Sequence, residues 1–247
     1  MIHINCDVGE GVHNEEILMP YLNACNIACG GHAGDVETMH EVVALAKKYQ
    51  VEIGAHPSYP DRENFGRISV DMASAEFIKT IQQQITNLEE IAALHATKIT
   101  HIKPHGALYN DVAKSEEKAQ LFLKAISKYK DKYKLYIPYN SVVETIALQQ
   151  NFKVMYEAFA DRNYNDDLTL VSRKKDNAVL TKIGEIIPHV STLKNEQKVL
   201  TISKQKRILK SDTFCVHSDT VSAIEIVQQL HTHFNAESEV EHAKFPN

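Results

Sequence analysis

The sequence predicts an α/β fold, and a closed seven-stranded parallel β/α barrel of the TIM-like type is the expected architecture. Short apolar runs of strand length alternate with longer segments of helical periodicity along the 247 residues. This alternation is typical of parallel strands covered by helices, and about seven such units match the scale of a closed barrel. A doubly wound open sheet is the alternative. Because no Pro-, Gly- or Ser-rich linker divides the chain, residues 1–247 are predicted to form one domain.

The predicted strands are short apolar runs bounded by polar or turn-forming residues. They cover residues 2–6, 25–29, 51–55, 99–103, 134–138, 153–157 and 213–217. Between them, apolar residues recur at steps of three and four, the periodicity of a helix with one buried face. The clearest helical patterns run from Val36 to Ala46, from Phe77 to Ala92 and from Val221 to Phe234. These helices are expected to cover the strands.

The least regular part of the chain is residues 163–212. The polar stretch RNYNDDLTLVSRKKDN, residues 162–177, is predicted to form a loop across the barrel mouth. The stretch KVLTISKQKRIL, residues 198–209, is compatible with a β-hairpin. We expect the tail after about residue 235 to be frayed, as chain ends commonly are.

The charge balance restricts the class of partner. The formal net charge is −5 and the sequence pI is about 6.2. Nucleic acids and anionic membrane surfaces require an extended basic face, so neither is an expected partner. Small anionic ligands remain compatible, because they need only a local basic pocket. Assembly into a homo-oligomer is left open.

The apolar segments and the cysteines indicate a cytoplasmic protein. The longest unbroken apolar run, Val42–Ala46, is far too short for a transmembrane helix, and the first residues lack the pattern of a signal peptide. The four cysteines lie in or near apolar runs and are expected to be reduced core thiols. Cys25 and Cys29 have a spacing that also permits a zinc site, but no second cysteine pair accompanies them.

Titratable residues cluster at the ends of the predicted strands. They are Asp7, Glu10, His32, Asp35, His56, Asp61, Arg62, Arg67, Lys103, His105, Tyr109, Glu157, Asp161, Arg162, His217 and Asp219. In a parallel β/α fold, the carboxyl ends of all strands open on one face, where ligands bind. The sequence therefore predicts that residues far apart along the chain converge on one pocket.

Two sets of site residues follow from this placement. The predicted catalytic residues are Asp7, Glu10, His32, His56, Lys103 and His105. The predicted substrate-binding residues are Asp35, Arg62, Arg67, Tyr109, Asp161, Arg162 and His217. Apart from Glu10, the predicted catalytic residues lie at no evident helix start, so a capping role does not explain them. Burial of these polar groups without partners is costly. For Asp35 and Asp219, an N-cap of the following helix is an equally good interpretation.

These residue types suit hydrolysis of an amide-like bond in an anionic substrate. A neutral imidazole beside a carboxylate can act as a general base for water. An aspartate with two or three histidines can instead bind a divalent metal ion that activates water. Lysine and arginine would hold carboxylate or phosphate oxygens. No G-x-x-x-x-G-K-[ST] phosphate-binding motif occurs in the chain.

Six motifs in this order resemble the LamB/YcsF family. They are NCDVGEG, NIACGGHAGD, IGAHPSYPDRENFGR, KPHGALYN, FADR and CVHSD, between residues 5 and 219. The likeness is close over about residues 1–175 and looser over 210–235. The chain departs from the family pattern at Ser218, where the family usually has glycine, at Asn163, and at Ser172, where LVPR is common.

The resemblance implies a barrel similar to those of glycoside hydrolases and deacetylases. It implies hydrolytic opening of the 5-oxoproline (pyroglutamate) lactam to L-glutamate, coupled to hydrolysis of ATP as cosubstrate. It also implies that the chain acts with 5-oxoprolinase subunits B and C, which we expect to handle the nucleotide because no phosphate-binding loop is present. Two alternatives remain: a stand-alone metal-dependent amide or N-acyl hydrolase of deacetylase type, and a non-catalytic subunit that binds an anionic metabolite.

Overall fold

Seven parallel strands close into a barrel in the computed structural model, which describes residues 1–244, with side chains through residue 235. The barrel strands are β1 (Ile4–Val8), β2 (Ala24–Ala28), β3 (Glu52–His56), β4 (Ile99–Ile102), β5 (Lys134–Pro138), β6 (Val154–Phe159) and β9 (Thr213–His217). They are hydrogen-bonded in the order β1-β2-β3-β4-β5-β6-β9, and β9 pairs with β1 to complete the ring. The predicted barrel is confirmed, and the open-sheet alternative is wrong.

The helices lie between the strands along the chain. They are α1 (Glu15–Leu18), α2 (Val36–Lys48), α3 (Ser74–Leu94), α4 (Gly106–Lys114), α5 (Glu116–Ile126), α6 (Val142–Gln149), α7 (Ile183–Glu196) and α8 (Ala223–Lys244). Apolar positions of the predicted helical patterns, such as Val43, Ile81 and Leu88, are fully buried. The periodicity therefore identified the faces of α2 and α3 that pack on the strands.

The region between β6 and β9 combines a loop, a helix and a small sheet. The hairpin suggested by the sequence is confirmed: β7 (Lys198–Leu200) and β8 (Lys206–Ile208) pair antiparallel. The predicted mouth loop is confirmed as well, since residues 170–174 line the cavity described below. Two isolated β-bridges, Arg162 with Val179 and Tyr164 with Leu170, tie this loop together.

A ladder of polar side chains fills the barrel interior below the site. Asn5 donates to Thr213 at 2.7 Å, and Asn26 donates to both Asn5 and Asp7 at 2.8 Å. The Nε2 atom of His101 lies 2.8 Å from the side-chain oxygen of Asn26. His101 and Lys103 are two positions apart and lie on the same face of the chain, pointing into the barrel, where each is buried. This ladder fixes the orientation of Asp7 from beneath.

All four cysteines are buried free thiols, as predicted. Among the described residues, no group of candidate metal ligands includes Cys25 or Cys29, so the zinc alternative for that pair finds no support. In the described part of the chain, no helix is long and apolar enough to cross a membrane. The expected fraying of the tail after about residue 235 and the single-domain assignment both stay predictions.

Candidate active site

A cavity of about 560 Å³ opens at the carboxyl ends of the barrel strands. Its walls combine buried acid–base residues with a cationic rim. The titratable lining residues are Asp7, Glu10, His56, Arg67, Lys103, His105, Tyr109, Lys114, Arg162, Arg173, Lys174, His217 and Asp219. The structure thus brings nine of the thirteen predicted site residues to one cavity, contributed by strands or loops on several sides of the barrel.

Lys103 forms the centre of a buried ion cluster. Its Nζ atom lies 2.8 Å from Asp7 Oδ1, 2.9 Å from Glu157 Oε1 and 3.1 Å from the thiol of Cys215. Burial lowers the pKa of Lys103, but the attraction of Asp7, Cys215 and Glu157 outweighs it, so the pKa is raised well above its ordinary value. Burial raises the pKa of Asp7, but Lys103 and His56 outweigh it and hold the pKa well below the usual range. Lys103 and Asp7 are therefore held as an ion pair.

Glu10 collects three histidines around its carboxylate. Glu10 Oε1 lies 2.9 Å from Nε2 of His32, 3.3 Å from Nδ1 of His105 and 3.8 Å from Nε2 of His56. The rings of His32 and His105 stack, with centroids 3.5 Å apart and planes within 2°. Because one ligand atom from each of the four residues lies within 4.8 Å of the others, this histidine cluster is the candidate location for a metal ion.

Burial controls the protonation of the histidine cluster. It lowers the pKa of His32 to about 3 and outweighs the opposing effect of the hydrogen bond that Glu10 accepts from this ring. It also lowers the pKa of His105, against the opposing effect of Glu10. Burial raises the pKa of Glu10, but the hydrogen bonds with His105 and His32 bring it well below its ordinary value. At neutral pH, the carboxylate of Glu10 therefore lies beside the neutral imidazoles of His32 and His105.

The turn between His105 and α4 places His105 in the site. His105 occupies the N-cap position of α4, although its side chain does not cap the helix. The expectation that His105 lies at no helix start is therefore wrong. Glycine is also typical of turns, so Gly106 did not indicate in the sequence that a helix begins there. Gly106 has a φ of +56°, and a Cβ there would lie 2.5 Å from the carbonyl oxygen of Gly66, so only glycine fits this close approach.

Asp161 positions His217 at the far side of the cavity. Its carboxylate lies 3.0 Å from Nδ1 of His217 and accepts a hydrogen bond from Thr220 at 2.6 Å. Burial raises the pKa of Asp161, but His217 and these hydrogen bonds lower it to about 2. Asp161 does not itself line the cavity, whereas His217 does and stacks on Phe159. Asp161 therefore acts through His217.

Three arginines form the cationic rim. Arg67 donates to Asp219 at 2.6 Å, and Arg173 lies 3.4 Å from the same carboxylate. Arg162 is buried and donates to the carbonyl oxygen of Val171 at 2.6 Å. Because Asp219 binds Arg67 and Arg173 and α8 begins only at Ala223, the interpretation of Asp219 as a helix cap is wrong.

Two predicted substrate-binding residues lie away from the cavity. Asp35 is the N-cap of α2 and accepts a hydrogen bond from the Thr38 backbone at 2.8 Å, which confirms the capping interpretation. Arg62 donates to the carbonyl oxygens of Gly34 and Gly30. Neither lines the cavity. His32 does not line the cavity either, but it contacts two residues that do, Glu10 and His105.

Some residues of the site were absent from the predicted sets. Glu157 is 2% exposed and lies within a barrel strand. A single carboxylate in an otherwise apolar strand is the sequence feature that could have indicated its place in the site. For Asp219, a helix cap and a role in the site were equally good interpretations of the sequence. Arg173 lies in the polar mouth loop. Because many residues of this loop are charged, the sequence did not single out Arg173 as a site residue.

The fold and this cavity define a β/α-barrel protein with a buried acid–base cluster under a cationic rim. The chain belongs to the LamB/YcsF family, whose profile matches residues 2–246, and the resemblance is thereby confirmed. It is 38% identical to the A-type subunit of 5-oxoprolinase from Vibrio campbellii, over 92% of this chain and 93% of the relative. It is 36% identical to the corresponding 5-oxoprolinase chain from Staphylococcus aureus, over 93% and 94%.

A solved structure shows the same architecture. The lactam utilization protein from Thermus thermophilus superposes with a TM-score of 0.88 at 26% sequence identity. The superposition covers 96% of this chain and 97% of that protein. The fold is therefore shared over nearly the whole length of both chains.

Proposed function

We propose that this chain is one component of an ATP-dependent 5-oxoprolinase, which opens the 5-oxoproline lactam to L-glutamate together with partner subunits B and C. Family membership and the names of the relatives support the substrate class. The observation that carries the proposal is the cavity itself, in which the carboxylates of Asp7 and Glu10 adjoin the imidazoles of His56 and His105 below a rim of arginines.

The coupling to ATP follows from the chemistry of the lactam. A five-membered amide is a poor electrophile, so its carbonyl oxygen first attacks the terminal phosphorus of ATP and releases ADP. Water then adds to the activated carbon, the C–N bond breaks, and the amine takes up a proton as it leaves. The resulting acyl phosphate is hydrolysed by a second water to glutamate and phosphate. This sequence needs a proton acceptor for water, donors for the developing charge and cations for the anionic groups.

The cavity provides each of these. The histidine cluster around Glu10 activates the attacking water. Arg67 and Arg173 hold the substrate carboxylate or the transferred phosphate, in exchange for part of their contact with Asp219. Tyr109, Arg162 and His217 complete the substrate-binding wall. Lys103 keeps Asp7 ionised and oriented, and any contact of Lys103 with substrate competes with its three existing partners.

The nucleotide is assigned to the partner subunits. The chain has no G-x-x-x-x-G-K-[ST] loop to cradle phosphates, and the rim arginines suit a terminal phosphate better than a whole nucleotide. The four buried free thiols fit a reaction that takes place in the reducing cytoplasm.

Glutamate formation in the assembled complex tests the proposal. Purified chain is mixed with subunits B and C, ATP and 5-oxoproline, and glutamate and ADP are measured. His105→Ala should abolish turnover while the protein stays folded, whereas the control His95→Ala, outside the cavity, should not. Full turnover by His105→Ala would contradict the assignment. If that variant also binds 5-oxoproline, the non-catalytic alternative replaces it, and amide hydrolysis without ATP or partners would favour the deacetylase alternative.

A further inference from the structure

Two buried imidazoles in the site face each other through nitrogen atoms that both lack a proton. Nδ1 of His56 lies 2.8 Å from the carbonyl oxygen of Lys103, and Nε2 of His105 lies 2.9 Å from that of Phe65. A carbonyl oxygen only accepts, so each of these nitrogens carries the ring's proton. The remaining nitrogens, Nε2 of His56 and Nδ1 of His105, lie 3.0 Å apart. In the neutral rings, two lone pairs therefore point at each other.

This arrangement requires a cation between the rings. A proton shared by His56 and His105 would satisfy those two atoms alone. The carboxylate of Glu10 converges on the same point, 3.3 Å from Nδ1 of His105 and 3.8 Å from Nε2 of His56. Asp7 adds further negative charge, 3.5 Å from Nε2 of His56. A divalent ion uses all three donor atoms.

We propose that Glu10, His56 and His105 form a three-ligand site for a divalent transition-metal ion of the zinc class, open to the cavity. Zinc binds histidine nitrogen and carboxylate oxygen at about 2.0–2.1 Å in tetrahedral geometry, which places neighbouring ligand atoms about 3.3 Å apart. The three separations here are 3.0, 3.3 and 3.8 Å. The donor atoms are thus already spaced for such an ion.

The surroundings match a catalytic rather than a structural metal site. All three ligands line the cavity, which leaves a fourth position for water. The backbone carbonyls of Lys103 and Phe65 fix the tautomers of the two histidines, as the partners of metal-binding histidines do. His32 lies behind the ligands and contacts Glu10 at 2.9 Å, while its Nδ1 atom has no hydrogen-bond partner among the described residues. His32 therefore donates Nε2–H to Glu10 and orients that ligand.

The proposed metal site deepens the proposed function. The catalytic role of the metal ion rests on that function, whereas its binding does not. An ion at this point would lower the pKa of a bound water at the cavity floor. Binding itself is measured without substrate, ATP or partner subunits. Failure of metal binding would therefore not count against lactam opening, and failure of lactam opening would not count against the metal site.

Metal binding by the untagged, chelator-treated chain tests the proposal. Titration with Co²⁺ should give the visible absorption of a tetrahedral complex with a stoichiometry of about one, and Zn²⁺ should displace it. Added Zn²⁺ should also raise the Tm of the wild-type chain, because an ion that binds only the folded state stabilises it. His105→Ala and Glu10→Gln should lose the Co²⁺ band. His32→Ala should keep it, with affinity weakened about 10- to 100-fold.

His95→Ala is the matched control. His40 and His95 form a second histidine pair at 2.9 Å, outside the cavity, and neither belongs to a group of candidate metal ligands among the described residues. This variant should bind Co²⁺ like the wild type. Absence of saturable binding by the wild-type chain would overturn the proposal and leave a shared proton as the occupant. A Co²⁺ band that survives His105→Ala, or that disappears in His95→Ala, would overturn it equally.

Discussion

The ammonium group of Lys103 lies 2.8 Å from the carboxylate of Asp7, and both side chains are almost fully buried inside the barrel. Glu157 approaches the same ammonium to 2.9 Å. One cation thus compensates two carboxylates that β1 and β6 bring together. Such a cluster is stable only when it is complete, because the loss of one member leaves an uncompensated charge in the interior.

Replacement of Lys103 by methionine should therefore be strongly destabilising. We expect the free energy of unfolding in urea to fall by about 3–5 kcal/mol, since Asp7 and Glu157 are left without their cation. The double variant Asp7→Asn with Lys103→Met should recover part of this loss, because it also removes one of the two uncompensated carboxylates. Lys134→Met, at an exposed lysine on β5, serves as the control and should change stability little. A loss of the same size in both lysine variants would show that Lys103 has no special role.

A methyl group at Gly54 should disrupt the polar ladder below the site. A Cβ at this position would overlap the ring of His101, which stacks on Tyr136 with centroids 4.0 Å apart and is hydrogen-bonded to Asn26. Because that ring has nowhere to move, Gly54→Ala should lower the free energy of unfolding by about 3 kcal/mol. Thermal and urea denaturation measure the change.

Gly184→Ala provides the comparison for this prediction. Gly184 lies in α7, and a Cβ there would meet nothing within 4 Å. Alanine is favoured over glycine in a helix by up to about 1 kcal/mol, so this variant should be neutral or slightly stabilised. Equal stability of the two variants would mean that the barrel interior tolerates a displaced His101.

The barrel could be predicted from the sequence because buried parallel strands read as short continuous apolar runs. The convergence of Asp7, His56 and Lys103 on one pocket followed from the topology, since all strand ends open on the same face. Individual contacts did not follow. Arg67 and Asp219 meet across 152 positions of the chain, and nothing in residue type or spacing specifies such a pairing.

The tautomers of His56 and His105 were beyond sequence analysis for a related reason. They are set by backbone carbonyl oxygens, which every residue possesses and which therefore leave no mark in the sequence. Asp35 shows a second limit of sequence analysis, because here the sequence favours two interpretations equally. Its placement before a helix fitted both a cap and a ligand contact, and only the position of α2 relative to the cavity separated the two interpretations.

Replacement of Arg173 by methionine should weaken the binding of substrate. Arg173 lines the cavity and its present contact with Asp219 is long, at 3.4 Å, so its guanidinium can turn to a substrate anion. In the reconstituted complex, we expect KM for 5-oxoproline to rise about tenfold with kcat little changed, equivalent to about 1.4 kcal/mol of binding. Arg207→Met, at an exposed arginine on β8, should leave KM unaltered. A fall in kcat at constant KM would place Arg173 in the chemical step instead.

The stability of the protein should depend on the ionisation of Asp161 at low pH. The pKa of this carboxyl is lowered to about 2 in the folded state, from 3.8, so the folded protein holds the charged form more favourably than the unfolded chain does. The contribution is therefore fully present above about pH 4 and is lost as the pH falls through about 2. A difference of this size corresponds to about 2 kcal/mol.

Asp161→Asn should remove this dependence. The variant loses the charge that holds His217 and is less stable than the wild type at neutral pH, but its stability should fall less steeply as the solution is acidified. We expect the gap in the free energy of unfolding between the two proteins to narrow by about 2 kcal/mol between about pH 5 and about pH 2. Asp131→Asn, at an exposed aspartate, should follow the wild-type curve. Parallel curves for wild type and Asp161→Asn would show that the folded protein does not hold the charged form of Asp161 more favourably than the unfolded chain does.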